Sequence, residues 1–320
     1  MSLFDNITGR IIAWVVGKSA RRFENATKDP RGVQEAKLLE IIRRNENTEY
    51  GKRYNFASIQ SIADYQRLVP MVTYEDIRPY MDRVVAGETN ILTAEDPVGF
   101  AQTSGTTGNP KYIPITPRCK GREHRDVTQT WIYHAWTAHP KIMSAKIVSL
   151  VSPAVEGYTP SGLPYGSASG QMYRDMLPIV AKMYAIPYDV FEIDDYQAKY
   201  YAIMCIALSE DVRSVFTANP SSILKMCEKA NEFAETIIAD TRDGTLSRNF
   251  SMDPGIRRTL EANLTPDPER AKELEQMRDK RGGKLVPGDY WPNLDLIGCW
   301  KGGTVGHYLK HFPDWFDPDG

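Results

Sequence analysis

Residues 103 to 111 read Thr-Ser-Gly-Thr-Thr-Gly-Asn-Pro-Lys, the densest run of hydroxyls and glycines beside a cation anywhere in the chain. Gly105 and Gly108 allow backbone conformations with positive φ and let N–H groups approach an anion without a side chain in the way. Ser104, Thr106 and Thr107 add hydroxyl donors next to Thr103, and Lys111 adds a full positive charge. Charge-assisted hydrogen bonds to phosphate oxygens are roughly twice as strong as neutral ones. The chemistry implied by these residue types is therefore phosphate binding. The same composition also marks ordinary polar turns, so the order of the flanking residues has to decide. Val98 and Phe100 lead in. Tyr112-Ile113-Pro114-Ile115-Thr116 leads out and reads as a short strand whose proline confines it to a sheet edge. The loop thus joins two strands. A Walker A loop has four residues between its glycines and Lys-Ser/Thr directly after the second, opening a helix. Here only Thr106 and Thr107 separate the glycines, and Asn109-Pro110 precede Lys111, so a P-loop NTPase is excluded.

A second glycine pair, Gly302-Gly303, follows the apolar run Leu294 to Trp300 and is itself followed by Thr304. The next residues read as a helix with Val305, Tyr308, Leu309 and Phe312 on one face. His307 and His311 have the i, i+4 spacing of metal ligands. Tyr308, however, stands where a zinc protease would carry Glu, so the pair reads as an incidental surface feature. His124, His134 and His139 show no partner at triad or metal spacing. Met172, Met176 and Met183 read as packing residues.

These segments need a scaffold. At 320 residues, 42% hydrophobic and 25% charged, the chain can bury a sizeable core in one large domain or two. A net charge of -2 gives no electrostatic reason to expect nucleic acid or an anionic membrane as partner. Its four cysteines form no Cys-x-x-Cys pair, which predicts reduced structural thiols in the cytoplasm. Ile11 to Val16 is far shorter than the roughly 20 apolar residues of a transmembrane helix. Its basic cluster Lys18, Arg21 and Arg22 follows the apolar run, unlike a signal peptide. A helix packed on the body is the expectation there.

Helical spacing runs from Val33 to Asn47 through Leu38, Leu39, Ile41 and Ile42. Short helices broken by Pro70 and Pro79 follow, with Thr73 as an N-cap three residues before Asp76. Pro117 opens a long helix to Ala138. Ile147 to Val151 reads as a buried strand, and Gly157 to Gly170 as a loop over a site. Tyr196 to Leu208 reads as a helix and Val212 to Phe216 as a strand. Asn219-Pro220 starts a helix that continues to about Asp240. Pro266 to Lys284 reads as a solvated helix. Alternating strands and helices predict an α/β fold with a layered, largely parallel sheet and an N-terminal helical segment. Ligands of such folds sit at the carboxyl ends of strands, and both glycine-rich segments lie beside predicted strands. No internal repeat is evident.

Several separate stretches resemble the acyl-adenylating acyl acid-amido synthetases, the Gretchen Hagen three family first known as auxin-responsive, in its bacterial branch. The first is Thr48-Glu49-Tyr50-Gly51-Lys52-Arg53-Tyr54-Asn55-Phe56. Val69-Pro70, Tyr74-Glu75-Asp76 and Gly87-Glu88 follow in order before the loop, which Lys111-Tyr112-Ile113-Pro114 closes. Trp291-Pro292-Asn293-Leu294 then leads through Cys299-Trp300 to Gly302-Gly303 and Tyr308. The loop alone resembles those of acyl-CoA synthetases, luciferases and peptide-synthetase adenylation domains. The flanking stretches point to the amido synthetases, over residues 33 to 320.

The resemblance implies the fold of an adenylate-forming enzyme and an ATP-dependent, AMP-forming ligation assisted by Mg²⁺. A small carboxylic acid would be activated as acyl-AMP and passed to an amine such as an amino acid. It implies phosphate contacts by Thr103, Ser104, Gly105, Thr106, Thr107 and Gly108, with Lys111 near them. Gly302, Gly303 and Thr304 would lie along the adenylate. Val305 and Tyr308 would wall the acyl pocket, with plain helix packing the other reading of that pair. Residues 1–95 would form a mainly helical segment and 96–320 an α/β core. The family pattern continues to a further nucleotide segment and a mobile C-terminal domain, whereas this sequence ends on the turn signal Asp317-Pro318-Asp319-Gly320. The expectation is therefore an incomplete N-terminal adenylating domain. A ligase that acylates a thiol such as CoA, and a non-catalytic nucleotide- or acyl-binding protein, remain as alternatives.

Overall fold

The computed structural model describes residues 3–103 and 110–317. The turn read at the end of the sequence lies, from residue 318 onward, outside the described residues. Strands among the described residues are β1 Gly99–Thr103, β2 Lys111–Ile115, β3 Lys146–Ser149, β4 Gly157–Tyr158, β5 Pro164–Gly166, β6 Val212–Phe216 and β7 Leu296–Gly298. They form two sheets, β2-β1-β5-β4 and β3-β6-β7. The second is parallel throughout and the first is mixed, with β1 parallel to β5. The α/β expectation holds. The chain divides into two compact units, residues 1–138 with 154–168, and residues 139–153 with 169–320.

The first unit carries the four-stranded sheet and the helices α1 Leu3–Ala26, α2 Pro30–Arg44, α3 Glu49–Arg53, α4 Ile62–Leu68, α5 Tyr74–Val85 and α6 His124–Ala138. Ser19 of α1 donates to Asp126 at 3.0 Å and approaches Gln129 at 2.9 Å, fastening α1 to α6. No helix among the described residues is long and apolar enough to cross a membrane. Ile42 of α2 buries with Phe56, Ile59 and Val69, whereas Ile41 points outward. The long helix expected from Pro117 carries a π turn at Cys119–Glu123, where Lys37 and Arg118 bridge Glu40 and Glu123. Pro79 does not break its helix. It sits inside α5 and removes one backbone donor, a cost offset by burial of Met81 and Val84 on the same helix. The Thr73 N–H and hydroxyl both donate to Asp76 at 2.7 Å and fix where α5 begins.

Residues 157–170 are not a loop alone. β4 and β5 form a short hairpin that adds β5 to β1. Ladders of two and three residues are too short to show a period of two in sequence. The glycines mark close approach instead. A Cβ on Gly157 would stand 2.4 Å from the Tyr165 hydroxyl, and one on Gly166 2.5 Å from the Ala154 carbonyl oxygen.

The second unit holds the parallel sheet and α7 Ala168–Arg174 (from Ser169), α8 Pro178–Ala181, α9 Tyr196–Ala207, α10 Pro220–Glu232, α11 Ala234–Asp243, α12 Pro254–Glu261, α13 Pro268–Lys280, α14 Pro287–Tyr290 and α15 Pro313–Phe316. Residues Ala198 to Ala207 of α9 carry almost no polar side chain, and Tyr200 to Ala207 are all buried. A helix apolar on every side belongs at the centre of a core. Asn219 caps α10 through Ser221 N–H at 3.0 Å, with Pro220 at the first helical position as the sequence reads. That helix stops at Phe233, and α11 begins afresh. Phe233 turns its ring onto Tyr201 and Phe250, with centroids 6.3 and 4.8 Å away. The solvated helix α13 is anchored on one side by Ala271 and Leu274, which bury.

All four cysteines are free thiols. Burial pushes Cys205 and Cys227 up to about 12, while Cys119 and Cys299 are less enclosed and also raised by desolvation. A thiol raised in the folded state contributes stability below its ordinary value of 9.0 and loses it as pH rises through about 12. Thiol counting at pH 8 is expected to find two groups reacting in the native chain and all four only after unfolding; stability should fall between pH 9 and 12.

Candidate functional site

The glycine-rich loop hangs from a hairpin whose register runs from Gly99 opposite Ile115 to Thr103 opposite Lys111. Pairing reaches the last residue on each side, so the ends of the loop are fixed as neighbours. Ser104, Gly105, Thr106, Thr107 and Gly108 lie outside the described residues, and Thr103 ends β1. β2 is the sheet edge, as its proline predicts. The outward backbone groups of Tyr112 are both taken by one side chain. Tyr112 N–H donates to the Tyr74 hydroxyl at 2.8 Å, and that hydroxyl donates to the Tyr112 carbonyl at 3.1 Å. Pro114, two residues on, shares the outward orientation of Tyr112 and costs no ladder bond. The Tyr112 ring packs edge-on against Phe100 and Tyr165, at 5.9 and 5.3 Å. The root of the loop is thus clamped from a helix and from the sheet interior.

Lys111 is exposed and forms no ion pair with a carboxylate among the described residues. Its Nζ stands 5.5 Å from the centre of the Tyr74 ring, and the Arg78 guanidinium lies 4.9 Å from the same ring. Two hydrogen bonds from Arg78, at 2.6 and 2.8 Å, hold the Glu75 carboxyl below its usual range. The charges of Arg78 and Lys111 add to that effect. Glu75 is committed to Arg78 and makes no ion pair with Lys111. Tyr74→Phe removes the hydroxyl that serves both Tyr112 groups. Amide hydrogen exchange at Tyr112 is expected to accelerate about tenfold, the loss of one net hydrogen bond, while distant amides keep their rates.

In the other unit the parallel strands end at Ser149, Phe216 and Gly298, and their pairing continues past those ends. Leu150 N–H donates to Phe216 at 2.9 Å, Thr217 N–H to Gly298 at 3.0 Å, and Trp300 N–H to Ala218 at 3.0 Å. This carboxyl rim is where parallel sheets receive ligands. Gly302, Gly303 and Thr304 follow it directly and are exposed. Gly303 has φ +64°, which accounts for its glycine. Gly302 has an ordinary φ of -92°, and a Cβ there would meet nothing within 4 Å among the described residues, which therefore do not require glycine at 302.

The segment after the glycines is a 3₁₀ helix, Gly303–His311, rather than the α-helix read from sequence. Gly303 and Gly306 weaken α propensity, and a Cβ on Gly306 would lie 2.7 Å from the Lys301 carbonyl oxygen. Three residues per turn place Val305, Tyr308 and His311 in one row, while Leu309 falls in the row of Phe312. Tyr308 lines a cleft of about 430 Å³ with Leu224 and Lys225 of α10, His307, His311 and Trp315. The imidazoles of His307 and His311 are 5.6 Å apart, and among the described residues no three His, Cys, Asp or Glu side chains are grouped to hold a metal. Val305 is half-buried and does not line this cleft. Sequence reasoning missed Tyr74 as the clamp of β2 and α10 as a cleft wall. Neither has a local signal, because each acts through contact with residues far away in the sequence, Tyr74 with Tyr112 and α10 with residues 307–315.

Residues 19–319 match the GH3 family N-terminal domain. The chain is 26% identical over 306 residues to the jasmonoyl–L-amino acid synthetase GH3.5 of Oryza sativa subsp. japonica, covering 92% of this chain and 52% of that protein. It is 28% identical over 307 residues to the 4-substituted benzoates–glutamate ligase GH3.12 of Arabidopsis thaliana, covering 90% and 52%. It is 24% identical over 308 residues to the indole-3-acetic acid-amido synthetase GH3.2 of the same plant, covering 91% and 55%. The fold matches the solved structure of the AtGH3.15 acyl acid amido synthetase in complex with 2,4-DB, with a TM-score of 0.82 and 21% identity over 95% of this chain and 53% of that one. The chain spans about half the length of the curated relatives it matches. With a family match over nearly its whole length and the resemblance of its motifs pointing the same way, the chain belongs to the GH3 family through that family's N-terminal domain.

Proposed function

We propose that these residues form the acid-activating part of an ATP-dependent, AMP-forming ligase that joins a carboxylic acid to an amino acid. The observation that carries this reading is the β1–β2 hairpin, whose paired ends Thr103 and Lys111 close a Ser/Thr/Gly loop and present beside it an ammonium that has no ion pair among the described residues. By their printed names the relatives described above join an acid to an amino acid or convert it to an amide, which supports extending that class of reaction here.

In the first step a carboxylate oxygen of the acid attacks the α-phosphorus of ATP, and the bond to the leaving pyrophosphate breaks. In the second, the amine nitrogen attacks the acyl carbon, AMP departs with the electron pair of the cleaved C–O bond, and the nitrogen loses a proton. Two anions must meet in the first step. Loop N–H groups from Ser104 to Gly108, the hydroxyls of Thr103, Ser104, Thr106 and Thr107, and Lys111 lower that repulsion where charge develops. Mg²⁺, when bound, neutralises phosphate charge, and the phosphates themselves would carry it, since Mg²⁺ is held by few protein oxygens in such sites. Gly302 leaves room for the adenylate, with Gly303 and Thr304 continuing that strip. Tyr308 and Val305 are assigned to the acyl pocket. Residues 1–95 supply the clamp on the loop and 96–320 the adenylating core. The four free thiols fit a reducing compartment, and the cytoplasm is the proposed location.

The test is exchange of labelled pyrophosphate into ATP, measured across a panel of aromatic and aliphatic carboxylic acids. Exchange that requires an acid supports the reading, and subsequent AMP release with amino acids but not with CoA separates an amine acceptor from a thiol.

A further inference from the structure

The first unit contains a second cleft, to which the proposed acid activation assigns no role. Helices α3 and α5 and residues 70–72 enclose about 610 Å³, within the roughly 300–1,000 Å³ of small-molecule sites. Its aromatic wall is a cluster of three tyrosines. The Tyr50 ring lies 4.7 Å from Tyr54 and 5.5 Å from Tyr80, tilted and edge-on. Facing solvent at the rim is Met71, fully exposed, beside the exposed Val72. A methionine with its whole surface in water contributes nothing to this unit's own core, and it stands at a cleft whose walls are aromatic.

The charges at the cleft are unequal in their commitments. Arg83 is held by Glu49 at 2.8 Å and by Glu88 at 2.7 Å, and Asp76 by Thr73 at 2.7 Å. Arg53 has no carboxylate within ion-pair distance among the described residues. Its guanidinium donates to the Tyr80 hydroxyl at 2.7 Å and lies 5.7 and 5.9 Å from the Tyr54 and Tyr80 rings, which orient the fork. The nearby Glu49 is taken up by Arg83. What remains is one oriented, exposed guanidinium over an aromatic wall, with donors still to satisfy. The planar fork of arginine matches a carboxylate bidentately. Tyrosine faces and an unbranched, polarizable methionine suit the flat or aliphatic body attached to it.

We propose that this cleft binds a small organic acid, its carboxylate on Arg53 and its apolar body between the tyrosines and Met71, at a site separate from the glycine-rich loop. This assignment stands whether or not the chain activates acids. The experiment uses the full chain labelled with ¹³C-methyl methionine, Met71 being assigned by Met71→Leu, and titrates phenylacetate. A saturable shift of the Met71 methyl is expected. Arg53→Gln should weaken that binding about tenfold or more, the loss of a charge-assisted pair. Phenylacetamide, which keeps the ring and loses the charge, should bind the unaltered chain at least about tenfold more weakly. An acid bound only at the carboxyl rim would move other methionines and leave Met71 still, which overturns the proposal. So does an undiminished Met71 shift in Arg53→Gln with its remaining methionine resonances unchanged, or equal binding of the amide. The amide comparison decides the matter even if the variant fails to fold.

Discussion

Lys111→Ala is expected to lower acid-dependent pyrophosphate exchange by about 100-fold or more, with little change in the stability of the chain. The side chain is exposed, lies over the Tyr74 ring, and forms no ion pair among the described residues, so its removal costs the fold little. Its charge matters only when phosphate arrives. Deleting one fixed donor to a developing anion typically costs about 10² to 10³ in rate. Lys111→Arg keeps the charge and should recover part of the loss. Parallel measurement of ATP affinity separates binding from chemistry. Should Lys111→Ala exchange at the native rate, the hairpin is a structural turn and the proposed role of the loop root fails.

Trp291→Ala is expected to destabilise the parallel-sheet unit by about 3 to 5 kcal/mol, the cost of emptying a large core site. Trp291 is among the largest fully buried side chains of the protein. Its indole N–H donates to the Ala207 carbonyl at 3.0 Å, closing the last turn of α9, and its ring stands edge-on to Tyr290 at 4.8 Å. Urea unfolding followed by far-ultraviolet circular dichroism would read the change, with Trp291→Phe expected to cost less. A loss below about 1 kcal/mol would contradict the packing described here. Trp291 belongs to one of the stretches by which the sequence resembles its family, and its physical role lies in the core that carries β7 and the Gly302 strip.

The sequence was legible wherever a signal is local. Asn219-Pro220 announced α10, Thr73 with Asp76 announced α5, and the apolar runs at 147–151 and 212–216 marked strands that pair in parallel. Pro114 correctly marked β2 as an edge. What was lost depends on contacts made across the chain. Pro79 is tolerated because Met81 and Val84 bury, Phe233 ends α10 because its ring has a place on Phe250, and the hairpin at 157–166 is visible only once β5 meets β1. The candidate site divides the same way. Residue types announced the phosphate loop, whereas the Tyr74 clamp and the wall contributed by α10 exist only in three dimensions. The face assigned to Val305, Tyr308, Leu309 and Phe312 changed because glycines shifted the local winding to 3₁₀.

In the proposed function the hairpin and the glycine strip serve the activation of a carboxylic acid by ATP. The most direct measurement is acid-dependent pyrophosphate exchange by the natural polypeptide that carries these residues. Exchange with at least one carboxylic acid, absent without acid and reduced about 100-fold in Lys111→Ala, is the predicted result. A folded protein that binds ATP and shows no exchange across a broad acid panel would contradict it.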